Sequence, residues 1–160
     1  YYEVQTLGFK YNMPDVLAAI GVCQLRKLDA MNARRQQIAA RYHQAFGEMD
    51  FLTPFPPELP NDRTHGWHLY TILLNLDALS IGRDQFIEAL KARNIGVSVH
   101  YIPIHYHPHY RVYGWRKGDF PNTEYYYERT LSLPLYPRMT DEDVAYVIEA
   151  VYDVGKQFRR

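Results

Sequence analysis

The sequence predicts an α+β protein in two parts: a helical first third, then a small unit of short strands and helices. Three observations carry this. The 160 residues are 47% hydrophobic and 22% charged, the make-up of a globular domain able to bury a core. Apolar residues recur at helical spacing through most of the first fifty positions. Pro54, Pro56, Pro57 and Pro60 then break the pattern, and beyond them aromatic and branched runs alternate with helical ones.

Pro14 suits a first helical turn, where its missing N–H costs nothing. Val16, Leu17, Ile20, Cys23, Leu28 and Met31 continue from it as a broad apolar face. A second helix is expected from about residue 30 to Phe46, with Ile38, Tyr42, Ala45 and Phe46 on one side and Gly47 as its stop. Arg34 and Arg35 read as a solvated or interface face. These two helices have no sheet of their own, so they require a covering surface. The proline-rich stretch reads as a connector. After it, "WHLYTILLNL" reads as a strand, "GRDQFIEALKARN" as a helix and "IGVSVHYIPI" as a second strand broken at Pro103. A short helix around "TEYYYERTLS", an extended "LSLPLYP" and a terminal helix complete the chain. In that last helix Thr140 caps, Asp143 answers from the third position, and Val144, Val147, Ile148 and Val151 form the buried stripe. Helices on one face of a short sheet are the expected packing.

Lys+Arg and Asp+Glu balance at 18 each, which argues against a general nucleic-acid or polyanion binder and leaves a local anion pocket open. One cysteine, Cys23, rules out an intrachain disulfide and a cysteine-based zinc site and fits a reducing compartment. Its apolar helical context predicts buried packing. No run approaches the roughly 20 apolar residues of a membrane span, and the start carries no signal-peptide pattern.

His100, His105, His107 and His109 crowd together. In an extended segment the last three would share a face, but Pro103 and Pro108 interrupt it and no acidic or cysteine ligand is adjacent in sequence. A polar pocket lining is favoured over a metal site. His65 and His68, flanking Trp67, read as structural. No nucleophile, phosphate-loop or dinucleotide motif occurs. Ser132 reads as a turn residue, and Asp141–Asp143 as carboxylates favoured by a helix dipole. Of the five lysines, Lys10 has the suggestive setting. It stands with Asn12 just ahead of a helix N-terminus, whose partial positive charge and unpaired N–H groups suit a phosphate. On physics alone Asn12 reads equally as an anion donor or as a helix-capping device.

"GFKYNMPDVLAAIGVCQLRKLD", "RRQQIAARYHQAF", "GWHLYTILL", "RDQFIEALKARNIGVSVHYIPIH" and "DFPNTEYYYERTLSLPLYPRMTDEDV" together resemble, in order, the C-terminal portion of DegT-family sugar-nucleotide aminotransferases. The "KYN" form and the "SLPLYP" run are most similar to UDP-4-amino-4-deoxy-L-arabinose synthase-like members, which aminate UDP-4-keto sugars. The resemblance implies the α/β PLP-dependent transferase fold type I, aspartate-aminotransferase-like. Residues 1–50 would complete the large PLP domain and the dimer interface, 51–65 would connect, and 66–160 would form the small C-terminal α+β domain. It also implies pyridoxal 5'-phosphate as cofactor, a homodimer, a nucleotide sugar with L-glutamate and 2-oxoglutarate as substrates, and a cytoplasmic protein without nucleic-acid partner or membrane span. By the same matching, Asn12 would reach the phosphate of the neighbouring subunit's PLP, with Lys10 beside it. His105 and Tyr101 would lie on the substrate side. The family's Schiff-base lysine lies upstream of the matched segments, so no catalytic residue is expected in this chain and, alone, it is expected to be inactive. A sugar dehydratase of the same fold and a non-catalytic binding module are the competing readings.

Overall fold

The computed structural model describes Glu3 and residues 5–56 and 64–160. The residues form, in order, α1 (Asp15–Leu25), α2 (Leu28–Phe46), β1 (Leu52–Phe55), β2 (Tyr70–Leu74), α3 (Arg83–Lys91), α4 (Pro121–Arg129), β3 (Thr130–Leu133) and α5 (Asp141–Phe158). The strands make an antiparallel sheet in the order β1-β2-β3. Leu52 faces Leu74 across one seam and Tyr70 faces Leu133 across the other.

The core lies between this sheet and the helices α2 and α5. Tyr70, Ile72 and Leu74 alternate onto one face of β2, where the Tyr70 ring meets Tyr42 of α2 at 4.9 Å. Val144, Val147, Ala150, Val151 and Val154 give α5 its buried stripe. Its start is fixed as expected: Asp143 N–H donates to Thr140 Oγ1 at 3.1 Å, and Thr140 N–H donates to Asp143 Oδ2 at 2.8 Å. Arg34, expected on a solvated or interface face, is a strut between helices. It donates to the Met139 carbonyl at 2.7 Å and pairs with Asp141 at 2.9 Å, while Arg41 reaches the same carboxylate at 3.0 Å. The Tyr42 hydroxyl donates to the Pro134 carbonyl at 3.0 Å, tying α2 to the turn after β3.

Several expectations are corrected. Residues 52–55 of the anticipated 51–65 connector are the edge strand β1, with Pro54 opposite Ile72; an edge strand tolerates a proline because one side of it needs no ladder donor. Residues 57–63, the middle of that connector, lie outside the described residues. The second strand expected over "IGVSVHYIPI" reduces to a single bridge between Ser98 and Ser132. Ser132 is a buried β3 residue, not a turn residue. Helices do not keep to one face: Phe55, on the side of the sheet opposite Tyr70, meets Tyr126 of α4 at 5.3 Å. α1 has no buried residue, and Cys23 is exposed where burial was expected, because the apolar surface of α1 is uncovered among the described residues. No helix there is long and apolar enough to cross a membrane.

Candidate functional site

The histidine-rich loop does not extend. Proline starts each of two short 3-10 turns, Ile104–Tyr106 after Pro103 and Pro108–Tyr113 at Pro108 itself, so His105, His107 and His109 do not share a strand face. His105 is 5% exposed, and its Nε2 lies 2.9 Å from Oε1 of Glu124, itself 7% exposed. The same carboxylate oxygen accepts the Gly118 N–H at 2.7 Å. Burial alone would raise the Glu124 pKa; the Gly118 amide and His105 outweigh that and hold it below the ordinary glutamate value. Desolvation, then the Glu124 charge, push the pKa of the neighbouring Tyr106 hydroxyl up.

Glu124 was not singled out from sequence. It stands nineteen positions after His105, in the first turn of a proline-started helix where a carboxylate is ordinary, and only the fold brings the pair together. Above the pair opens a cavity of about 430 Å³, lined by His105, Tyr106, Arg111, Trp115, Arg116 and Lys117. Tyr101 is 74% exposed and does not line that cavity. Among the described residues, no group of three or more His, Cys, Asp or Glu is gathered as a metal site. His100 Nδ1 meets Ser132 Oγ at 2.8 Å, a tie between the loop and β3.

Lys10 and Asn12 lie on a different element, the exposed lead-in to α1. The N-cap position is Pro14, which offers no side-chain acceptor, so the capping reading of Asn12 is removed. The first intrahelical bond runs from Ala18 N–H to the Pro14 carbonyl at 3.0 Å. The N–H groups of Asp15, Val16 and Leu17 therefore lack helical partners. An amide, an ammonium and three N–H groups without helical partners are a donor set that suits a phosphate, and Asp15 stands in the same first turn as an opposing charge.

The chain belongs to the DegT/DnrJ/EryC1/StrS aminotransferase family, which it matches over residues 1–152. It is 49% identical over 159 residues to the spore coat polysaccharide biosynthesis protein SpsC of Bacillus subtilis, covering 98% of this chain and 40% of SpsC. Among solved structures, the aminotransferase TlmJ from Streptoalloteichus hindustanus superposes with a TM-score of 0.83 at 32% identity, over 98% of this chain and 40% of its own. The PLP form of Spr1654 from Streptococcus pneumoniae gives 0.84 at 28% identity, over 98% of this chain and 39% of its own. The fold is that of the PLP-dependent fold type I sugar aminotransferases, as the resemblance implied. The chain spans about two-fifths of the length of the curated relatives it matches.

Proposed function

We propose that this chain is the C-terminal part of a PLP-dependent aminotransferase that moves an amino group from L-glutamate to the 4-keto carbon of a nucleotide-linked sugar, UDP-sugars first among them, in the cytoplasm. The observation that carries the proposal is the family match across residues 1–152. When bound, PLP supplies the electron sink through which nitrogen leaves one carbon and joins another.

The work of this chain is to bind and orient. The Asn12 amide, aided by Lys10 and the first-turn N–H groups of α1, holds the phosphate belonging to the neighbouring subunit's site. A helix apolar on all sides belongs in an interior. Exposed Val16, Leu17, Ile20 and Leu25 on α1 therefore argue that residues 1–50 complete the large domain and the interface between two copies. The small domain, residues 66–160, presents His105, its ring fixed by Glu124, and the accessible Tyr101 to the sugar substrate.

Asn12→Ala in the full-length protein is expected to weaken PLP retention by about 1.5–3 kcal/mol, the range for a hydrogen bond to a charged group. Cofactor absorbance after dialysis measures it. Unchanged retention removes the phosphate clamp. A panel of UDP- and dTDP-linked 4-keto sugars with L-glutamate then assigns the acceptor.

A further inference from the structure

α2 is buried along only part of its length. Ile38, Ala39, Tyr42 and Phe46 enter the core, whereas none of residues 28–37 is buried. The helix therefore leaves the small domain near Ile38. Towards its start it joins α1 without leaving the right-handed helical region: Arg26 has φ −61° and ψ −21°, and Lys27 has φ −101° and ψ −8°. The Met31 N–H donates to the Lys27 carbonyl at 3.0 Å. A junction held in helical geometry transmits direction from one helix to the next.

Arg34 stands just outside that point of exit, one turn before Ile38, yet its contacts lie inside the small domain: the Met139 carbonyl at 2.7 Å and the Asp141 carboxylate at 2.9 Å. Arg41, seven residues or about 10 Å further along the helix, reaches the same carboxylate oxygen at 3.0 Å and donates to the Asp141 carbonyl at 3.3 Å. Two arginines two turns apart thus converge on the first residue of α5. The core holds α2 only from Ile38 onward, so Arg34 is the outermost restraint on how far the emerging segment can swing. Capping does not explain the arrangement, because Thr140 and Asp143 already close the start of α5. Nor does stability, since the Asp141 side chain is 68% exposed and exposed ion pairs add little.

We infer that Arg34, acting with Asp141 and Arg41, is a positioning residue that fixes the angle between the small domain, which carries His105 and Tyr101, and the helical path of α1 and the uncovered half of α2. This rests on the reading above, in which α1 joins the large domain of a sugar aminotransferase. Loosening the strut leaves a smaller fraction of molecules with the small domain in the binding orientation. The apparent substrate affinity falls by that fraction, and saturating substrate restores the orientation. The loss therefore belongs in KM and not in kcat.

The test uses the full-length holoenzyme with L-glutamate and a panel of UDP- and dTDP-linked 4-keto sugars, and melting curves verify folding of each variant. In Arg34→Ala, KM for the sugar is expected to rise about fivefold, with kcat within about twofold and PLP retention unchanged. Arg34→Lys, which can still reach the Asp141 carboxylate, is expected to recover part of the loss. Arg34→Ala combined with Asp141→Ala is expected to be no worse than either alone. Should Arg34→Ala not fold, Asp141→Ala, at an exposed side chain, carries the same expectation. An unaltered KM, or kcat and kcat/KM falling together, overturns the inference and leaves the functional reading standing. If the wild type aminates no sugar but converts L-glutamate, the acceptor part of that reading fails alone, and the same comparison is made on KM for L-glutamate. If it converts neither, the inference falls with the reading.

Discussion

Gly155 sits buried in α5 with the outer end of the Phe51 ring against it. A β-carbon there would stand 2.1 Å from both Cε2 and Cζ of the ring and 2.6 Å from Cε1. To restore ordinary contact near 3.4 Å the ring must retreat by about 1.3 Å. Phe51 is 4% exposed in the core, and a core at near-crystalline density has no slack of that size. Gly155→Ala therefore carries an overpacking cost of about 1–3 kcal/mol, set against a helix-propensity gain of about 1 kcal/mol. With three ring atoms in conflict the cost belongs at the upper end, for a net loss of about 2 kcal/mol. Thermal unfolding of the full-length protein should show the small-domain transition falling by about 2–4 °C for each kcal/mol. In a Phe51→Leu background the same substitution should cost less, by at least about 0.5 kcal/mol of coupling. An unchanged or raised midpoint in Gly155→Ala would refute the packing argument, because propensity would then have prevailed over a clash that does not exist.

Two further outcomes concern pH. The Arg34 hydrogen bond and charge, with help from Arg41, hold Asp141 below the ordinary aspartate value of 3.8. A carboxyl depressed in the folded state stabilises it above the unfolded pKa, and that contribution disappears as pH falls through the folded value. Asp141→Asn should therefore flatten the acid limb of stability below about pH 4, a small effect at an exposed pair; an identical limb in both proteins counts against the strut. At the other extreme, burial first, then the Tyr42 neighbour, drives the Tyr70 phenol far above its ordinary 10.0, and burial does the same to Tyr42. Because the unfolded phenols ionise near 10, stability is lost as pH rises past that value. Spectrophotometric titration should show these tyrosines ionising only with unfolding, and their free titration in folded protein would contradict the packing of α2 on β2.

What was legible in the sequence was what local chemistry decides. Thr140 and Asp143 announce the start of α5 within four residues, and the aromatic and branched residues of "WHLYTILLNL" read as the strand that contains β2. What depends on distant partners was hidden. β1 hides behind Pro54, which reads as a breaker until β2 supplies its neighbour. Val97 and Val99 alternate like a strand, yet Ser98 alone bridges to β3, which lasts only four residues before Pro134. The resemblance pointed to His105, but its brace, Glu124, carries no local signal. Cys23 was misread because an apolar helix face says that a cover exists, not where that cover is.

The phosphate clamp made in trans is tested most directly by mixing subunits. One full-length subunit carries Asn12→Ala and the other lacks the Schiff-base lysine that the family resemblance places upstream. In a two-fold dimer the lysine of the first would face the intact Asn12 of the second, so random mixing should restore about a quarter of wild-type activity. A mixture no more active than its parents alone would put Asn12 outside the neighbouring subunit's site.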